Sequence, residues 1–210
     1  MRPDRMIPIA NSGTTSSHPD SPGQKIAAWL VERRVRISAT VFVALIVKDL
    51  LVGIEPHGIF AYRDPIAVTG CLLIFAGLGI RSWSAGILRK NRELTTTGPY
   101  AVIRNPLYFG SFLIMCGFCT LLDDPENIFV VLGPVAGLYF LQVMREERNL
   151  ANLFGAQWDQ YAKSVPRFIP RSLPTGSSGW NSKQWLGSRE YNALGATLLG
   201  MLAVELWRLS

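Results

Sequence analysis

Apolar residues in this chain come in long blocks, without the alternating or one-faced spacing of a soluble sheet or helix. Ile37 to Ile54 is apolar apart from Ser38, Thr40 and the pair Lys48-Asp49, and Ile66 to Leu88 is interrupted only toward its end by Arg81, Ser82 and Ser84. Leu107 to Leu122 and Ile128 to Met144 carry no charge, and the turn Asp123-Asp124-Pro125-Glu126-Asn127 separates them as a helical hairpin. A bilayer core takes about 20 mostly apolar residues as a helix. The blocks therefore predict an all-α, multi-pass transmembrane bundle of four spans. Tyr191 to Trp207, broken only by Glu205, is a candidate fifth.

The polar stretches divide the rest. Residues 1–23 are rich in Ser, Thr, Pro and Gly without apolar periodicity and read as a disordered tail. The first apolar block starts too late for an ordinary cleaved signal. A membrane-embedded domain over 24–171, a polar linker over 172–189 and a C-terminal hydrophobic helix over 190–210 complete the division.

Charge fixes an orientation. Of the 21 Lys and Arg, 17 fall in the tail and in the segments on the same side as it, against Arg63 and Arg208 on the other. Basic residues accumulate on the cytoplasmic side, so the N-terminus is expected there, in a bacterial inner membrane or an endoplasmic reticulum. This distribution also accounts for the net charge of +6 without a nucleic-acid partner. With 49% hydrophobic and only 17% charged residues among 210, disorder over most of the chain is excluded, and Cys71, Cys116 and Cys119 are too few for a disulfide scaffold.

Two segments on the basic side are unlike plain loops. Arg89 to Tyr108 holds a Gly98-Pro99 turn and ends on Pro106, suited to a first helical turn. Arg145 to Pro170 continues the fourth span, can stop at Gly155, and then makes a short amphipathic piece around Trp158 and Tyr161. Both meet the same membrane face, so their polar groups are expected to converge on a cytoplasmic cofactor pocket.

The run Gly98-Pro99-Tyr100, then Arg104-Asn105-Pro106-Leu107-Tyr108-Phe109-Gly110, then a hairpin, then E-E-x2-L-x3-F-G-x2-W-x2-Y-x3-V-P from Glu146 to Pro166 resembles the C-terminal half of isoprenylcysteine carboxyl methyltransferases. It is also similar to the wider set of integral-membrane methyltransferases that includes phospholipid methyltransferases. The resemblance covers roughly Ile87 to Pro170. It implies a helical bundle that binds S-adenosylmethionine at its cytoplasmic end and opens sideways to a lipophilic small-molecule or lipid substrate among membrane lipids. Carried over by motif, cofactor contacts fall on Arg92, Glu93, Leu94, Thr95, Tyr100, Asn105, Pro106, Leu107 and Tyr108. Glu146 takes the catalytic position, where it would hold the cofactor's ammonium, orient the acceptor or take its proton. Two residues depart from the pattern: Asn105 stands where the family usually has His, and Gln142, aligned at the substrate, where the prenylcysteine enzymes have Arg.

Plainer readings compete. Glu147 points about 100° from Glu146 and reads as a solvated helix end. Tyr100 and Tyr108 suit an interfacial aromatic belt, and Asn105 suits a helix cap. Cys116-x-x-Cys119 lies in an uncharged span and reads as packing; Gly77-Leu78-Gly79 and Gly133-x3-Gly137 read as close helix contacts. His18 and His57 lack partners for a metal site. Lys48 and Asp49 are not expected to form a simple pair. Glu205 would be relieved if its segment lay on the membrane surface. Two other functions stay open: an NADPH-dependent sterol or steroid reductase, which shares the C-terminal pattern, and a non-catalytic membrane protein. Oligomeric state is left open.

Overall fold

The computed structural model describes residues 40–89, 93–170 and 179–209, together with Arg33 and Ile37. The N-terminal tail, Arg92 and part of the 172–189 linker lie outside the described residues. Every regular element among those described is helical. Helix α1 covers residues 40–52 and stops at Gly53, whose φ of +78° suits a residue without a side chain, with its N–H returning to the Leu50 carbonyl. Helix α2, Pro65–Ile87, starts where Asp64 accepts from the Ile66 N–H and Pro65 presets the first turn. A 3-10 turn, Gly98–Ala101, leads into α3, Pro106–Leu121.

Helix α4 runs over Pro125–Phe154, with Asp124 capping its start. It begins inside the predicted acidic turn, so that turn is shorter than expected. Within it Val131–Val135 is a π-helical turn, and Pro134, which has no N–H to donate, accounts for the shifted ladder. Gly155 at φ +50° ends α4, as its position suggests, and α5, Ala156–Ser164, follows. The linker contains α6, Ser182–Gly187, and the chain closes with α7, Glu190–Leu209.

Among the described residues α2 and α4 are long and apolar enough to cross a membrane; α3, with 16 residues, is an apolar helix short of that length. The outer faces support lipid contact. Leu72 and Phe75 on α2, Leu132 and Phe140 on α4, and Leu199 and Leu206 on α7 are all exposed. Inside, Ile74, Leu78, Phe118, Leu121, Met201 and Val204 join α2, α3 and α7 into one core. Glycines let α2 and α3 approach closely: a Cβ at Gly77 would lie 2.5 Å from the Gly110 carbonyl, and one at Gly117 2.7 Å from that of Gly70. Gly77 is therefore the close contact expected, whereas Gly79 faces open space.

The expectations for Gly133-x3-Gly137, for Lys48-Asp49 and for Glu205 change, the last two because residues distant in sequence supply partners. Gly133 and Gly137 meet nothing within 4 Å among the described residues, so the expected helix contact is not made there. Lys48 and Asp49 do pair, at 3.1 Å, because Lys48 turns to reach Asp124 and Glu126 as well, while the fully buried Asp49 accepts from Asn127 at 2.6 Å. His57 is bracketed by Asp64 at 2.5 Å and Asp123 at 3.3 Å. Glu205 is held inside a full-length helix by Arg208 and the Ile59 N–H. Among the described residues no group of three or more His, Cys, Asp or Glu is placed to hold a metal ion.

Candidate functional site

The two segments singled out in the sequence do meet. Burying Trp158, Tyr161 and Val165 under Leu94, Leu150 and Phe154 seats α5 against the loop before α3. The Tyr161 hydroxyl then donates to the Tyr100 carbonyl at 2.7 Å, and the Arg104 N–H donates to the Pro166 carbonyl at 2.8 Å. Burial pushes the Tyr161 phenol up, partly opposed by Arg104, so it stays a neutral donor.

Pro106 opens α3, fully buried, and places Tyr108 in the first turn. Across from it α4 presents Gln142 and Glu146 one turn apart. The Tyr108 hydroxyl donates to Glu146 Oε1 at 2.7 Å and Gln142 Nε2 donates to the same oxygen at 2.6 Å. The Tyr139 ring stands edge-on to Tyr108 with centroids 5.7 Å apart. Two buried polar atoms nearby have no partner among the described residues: Gln142 Oε1 and the Tyr100 hydroxyl. Burial pushes the Tyr100 phenol far up, and Tyr161, Glu146, Glu190 and Tyr108 reinforce the shift. A carboxylate, aromatic rings, an unpaired hydroxyl and an unpaired amide oxygen make a region suited to a cationic ligand that also carries donors and acceptors.

Glu147 corrects the sequence reading. It is buried, 7% exposed, and far from solvated. Asn105 Nδ2 donates to its Oε1 at 2.9 Å, Arg104 Nη1 to Oε2 at 3.3 Å and Arg167 Nη2 to Oε2 at 2.7 Å. This carboxylate holds the Arg167 guanidinium charged more firmly than usual. Asn105 is committed to that contact and makes no side-chain cap to α3. Its side chain thus faces Glu147.

Glu93, Leu94 and Thr95 line a separate cleft of about 280 Å³ with Arg89, Thr96 and Gly179. Glu93 there pairs with Arg89 at 3.2 Å. Leu107 contributes its carbonyl, which accepts from Arg81; Arg81 also binds the Ser111 hydroxyl and clasps Glu190 at 2.7 and 3.0 Å. The structure therefore brings Tyr108, Gln142 and Glu146 together, turns Asn105 to Glu147, and sets Glu93 to Thr95 apart in the cleft. Tyr139, Glu147, Arg167, Arg81 and Glu190 were missed. The signal for Arg81 was available: a cation inside an apolar span calls for a buried partner.

Residues 66–157 match a family model described as phospholipid methyltransferase. The chain is 30% identical over 181 residues to the cobalt-zinc-cadmium resistance protein CzcN of Cupriavidus metallidurans, covering 82% of this chain and 80% of that one. It is 31% identical over 116 residues to the nickel-cobalt-cadmium resistance protein NccN of Alcaligenes xylosoxydans xylosoxydans, covering 51% and 54%. It is also 30% identical over 98 residues to protein-S-isoprenylcysteine O-methyltransferase of Schizosaccharomyces pombe, covering 47% and 42%. The chain thus spans about half or less of the last two relatives. No solved structure matches it.

Proposed function

Since the chain belongs to the isoprenylcysteine carboxyl methyltransferase-like family of membrane methyltransferases, we propose that it transfers a methyl group from S-adenosylmethionine to a lipophilic acceptor at the cytoplasmic membrane face. The observation that carries this reading is the Tyr108 to Glu146 hydrogen bond, with Gln142 on the same oxygen. It joins the two halves of the motif, 38 residues apart, at one point.

The residues present fit the cofactor. Glu146 and the Tyr108 and Tyr139 rings suit a cation, and the unpaired Tyr100 hydroxyl and Gln142 Oε1 offer a donor and an acceptor that burial has left unsatisfied. When bound, S-adenosylmethionine would supply a methyl group already activated on a sulfonium. The protein's part is then to hold donor and acceptor in contact and exclude water. Tyr108 and Gln142 orient the Glu146 carboxylate, and its second oxygen is left to hold the donor or to take a proton from a protonated acceptor. Glu93, Leu94 and Thr95 would hold the cofactor's far end in their cleft.

The bundle is proposed to cross the membrane four times with the N-terminus cytoplasmic, and α7 is a candidate fifth span. If this chain serves metal resistance, as CzcN and NccN are named for, we place that role in modifying a membrane component.

Calorimetry on purified chain in detergent tests the reading. S-adenosylmethionine should bind saturably and NADPH should not, and Glu146→Ala or the pair Tyr108→Phe with Asn105→Ala should abolish binding. Binding of NADPH alone would move the protein to the reductases, and binding of neither would leave a non-catalytic membrane protein.

A further inference from the structure

Neighbouring acids on α4 face different ways. Glu146 meets Tyr108, whereas Glu147 reaches the residue just before α3 and two arginines from separate segments. We propose that Glu147 is a positioning residue, resting on the reading above, that sets the conformation of residues 104–108 and so presents Tyr108 to Glu146.

Asn105 carries the argument. A residue ahead of Pro106 would normally turn its side chain to the free N–H groups of α3. Here the Asn105 Oδ1 makes no cap bond and the Nδ2 amide donates to Glu147, while the backbone carbonyl accepts the Phe109 N–H as at any helix start. The backbone at Asn105, φ −127° and ψ +56°, lies outside the usual extended region of a cap. The first turn of α3 is therefore oriented by a contact to α4, and Tyr108 sits in that turn.

The charges explain why an acid is needed. Arg104 lies 5.9 Å from the Trp158 ring and Arg167 5.7 Å from the Phe140 ring, so both guanidiniums are held in place. Backbone pairing of Arg104 with Pro166 brings the two segments together. Without a carboxylate between them the largely buried Arg104 and the 35% exposed Arg167 would face each other unneutralised, and the 104–108 segment would move. Arg167 lies beyond residues 66–157, so this contact reaches a segment outside the matched region.

The test uses the full chain in lipid nanodiscs with Glu147→Gln, Glu147→Asp, Asn105→Ala, Arg167→Gln and the Glu147→Gln/Asn105→Ala pair. Two quantities are read: amide hydrogen exchange over residues 100–109, and the dissociation constant for S-adenosylmethionine. Glu147→Gln should speed exchange in that stretch and weaken binding, each by about tenfold or more, while exchange in α2 stays as in wild type. Asn105→Ala should do the same, the double variant should be no worse than the worse single, and Glu147→Asp should recover most of the loss. Unchanged exchange over 100–109 in Glu147→Gln, or losses that multiply in the double variant, would overturn the proposal. If Glu147→Gln does not fold, Asn105→Ala and Arg167→Gln decide by the same exchange measurement. If wild type binds no S-adenosylmethionine the methyltransferase reading fails, and the exchange data still decide the role of Glu147.

Discussion

Replacing Gly77 by Ala should separate α2 from α3, and replacing Gly79 should not. A Cβ added at Gly77 would lie 2.5 Å from the Gly110 carbonyl oxygen and 2.8 Å from Ile114 Cγ1. The first of these is backbone and cannot swing aside, so the helices must part by about 1 Å to restore ordinary contact. Overpacking of this kind costs about 1–3 kcal/mol. The same substitution at Gly79 meets open space and changes the same helix by the same methyl group, so it controls for helix propensity. Thermal unfolding in one detergent should place Gly77→Ala several degrees below Gly79→Ala. Function should follow stability, since Arg81 is one turn beyond Gly77 and Tyr108 precedes Gly110 by two residues. Equal melting temperatures for the two variants would refute the close approach and with it the account of how α3 is placed.

Other outcomes follow from the same contacts. Tyr108→Phe and Gln142→Leu each leave Glu146 one donor, so each should weaken S-adenosylmethionine binding by about 10-fold to 100-fold, measured by calorimetry, since hydrogen bonds to charged groups contribute about 1.5–3 kcal/mol. Tyr100→Phe removes a buried hydroxyl without a partner among the described residues and should stabilise the ligand-free protein by about 1–3 kcal/mol while weakening ligand binding. The Tyr100 and Tyr161 phenols are raised above the ordinary 10.0 in the folded protein. Above that value the unfolded chain loses protons the folded one keeps, so stability should fall as pH rises past about 10, and less steeply in Tyr100→Phe. Lys48→Met strands the buried Asp49 and should destabilise toward the low end of about 3–5 kcal/mol, because Lys48 is itself 36% exposed; Lys48→Met with Asp49→Leu should recover part of this in denaturant titration.

The long helices were legible in the sequence because an apolar stretch long enough to cross a bilayer is marked residue by residue. The blocks that became α2 and α4 needed no knowledge of neighbours. Nor did the stop at Gly155 and the amphipathic turn around Trp158 and Tyr161. The meeting of Tyr108 with Glu146 came from the resemblance between motif halves; neither residue carries a local signal of it. What escaped was the polar network between helices. Glu147 beside Arg145 and Arg148 has the local pattern of a solvated helix end. Only the fold brings Arg104, Asn105 and Arg167 to it. The uncovered glycines of α4 depend likewise on which neighbours the fold brings to that face, which residue spacing along one helix does not encode.

The clasp between Arg81 and Glu190 has a consequence for synthesis. Arg81 lies six residues from the end of α2, about 9 Å along its axis, and its carboxylate partner is 109 residues further along the chain. At about 5–20 residues per second, the ribosome takes roughly 5–20 s to deliver it. During that interval the nascent helix carries a guanidinium whose eventual counter-ion does not yet exist. Until the last helix arrives, the partners available to it are the Leu107 carbonyl and the Ser111 hydroxyl of α3. A chain released before residue 190 would retain its greasy segments and its motif, and would lack the anion that clasps Arg81.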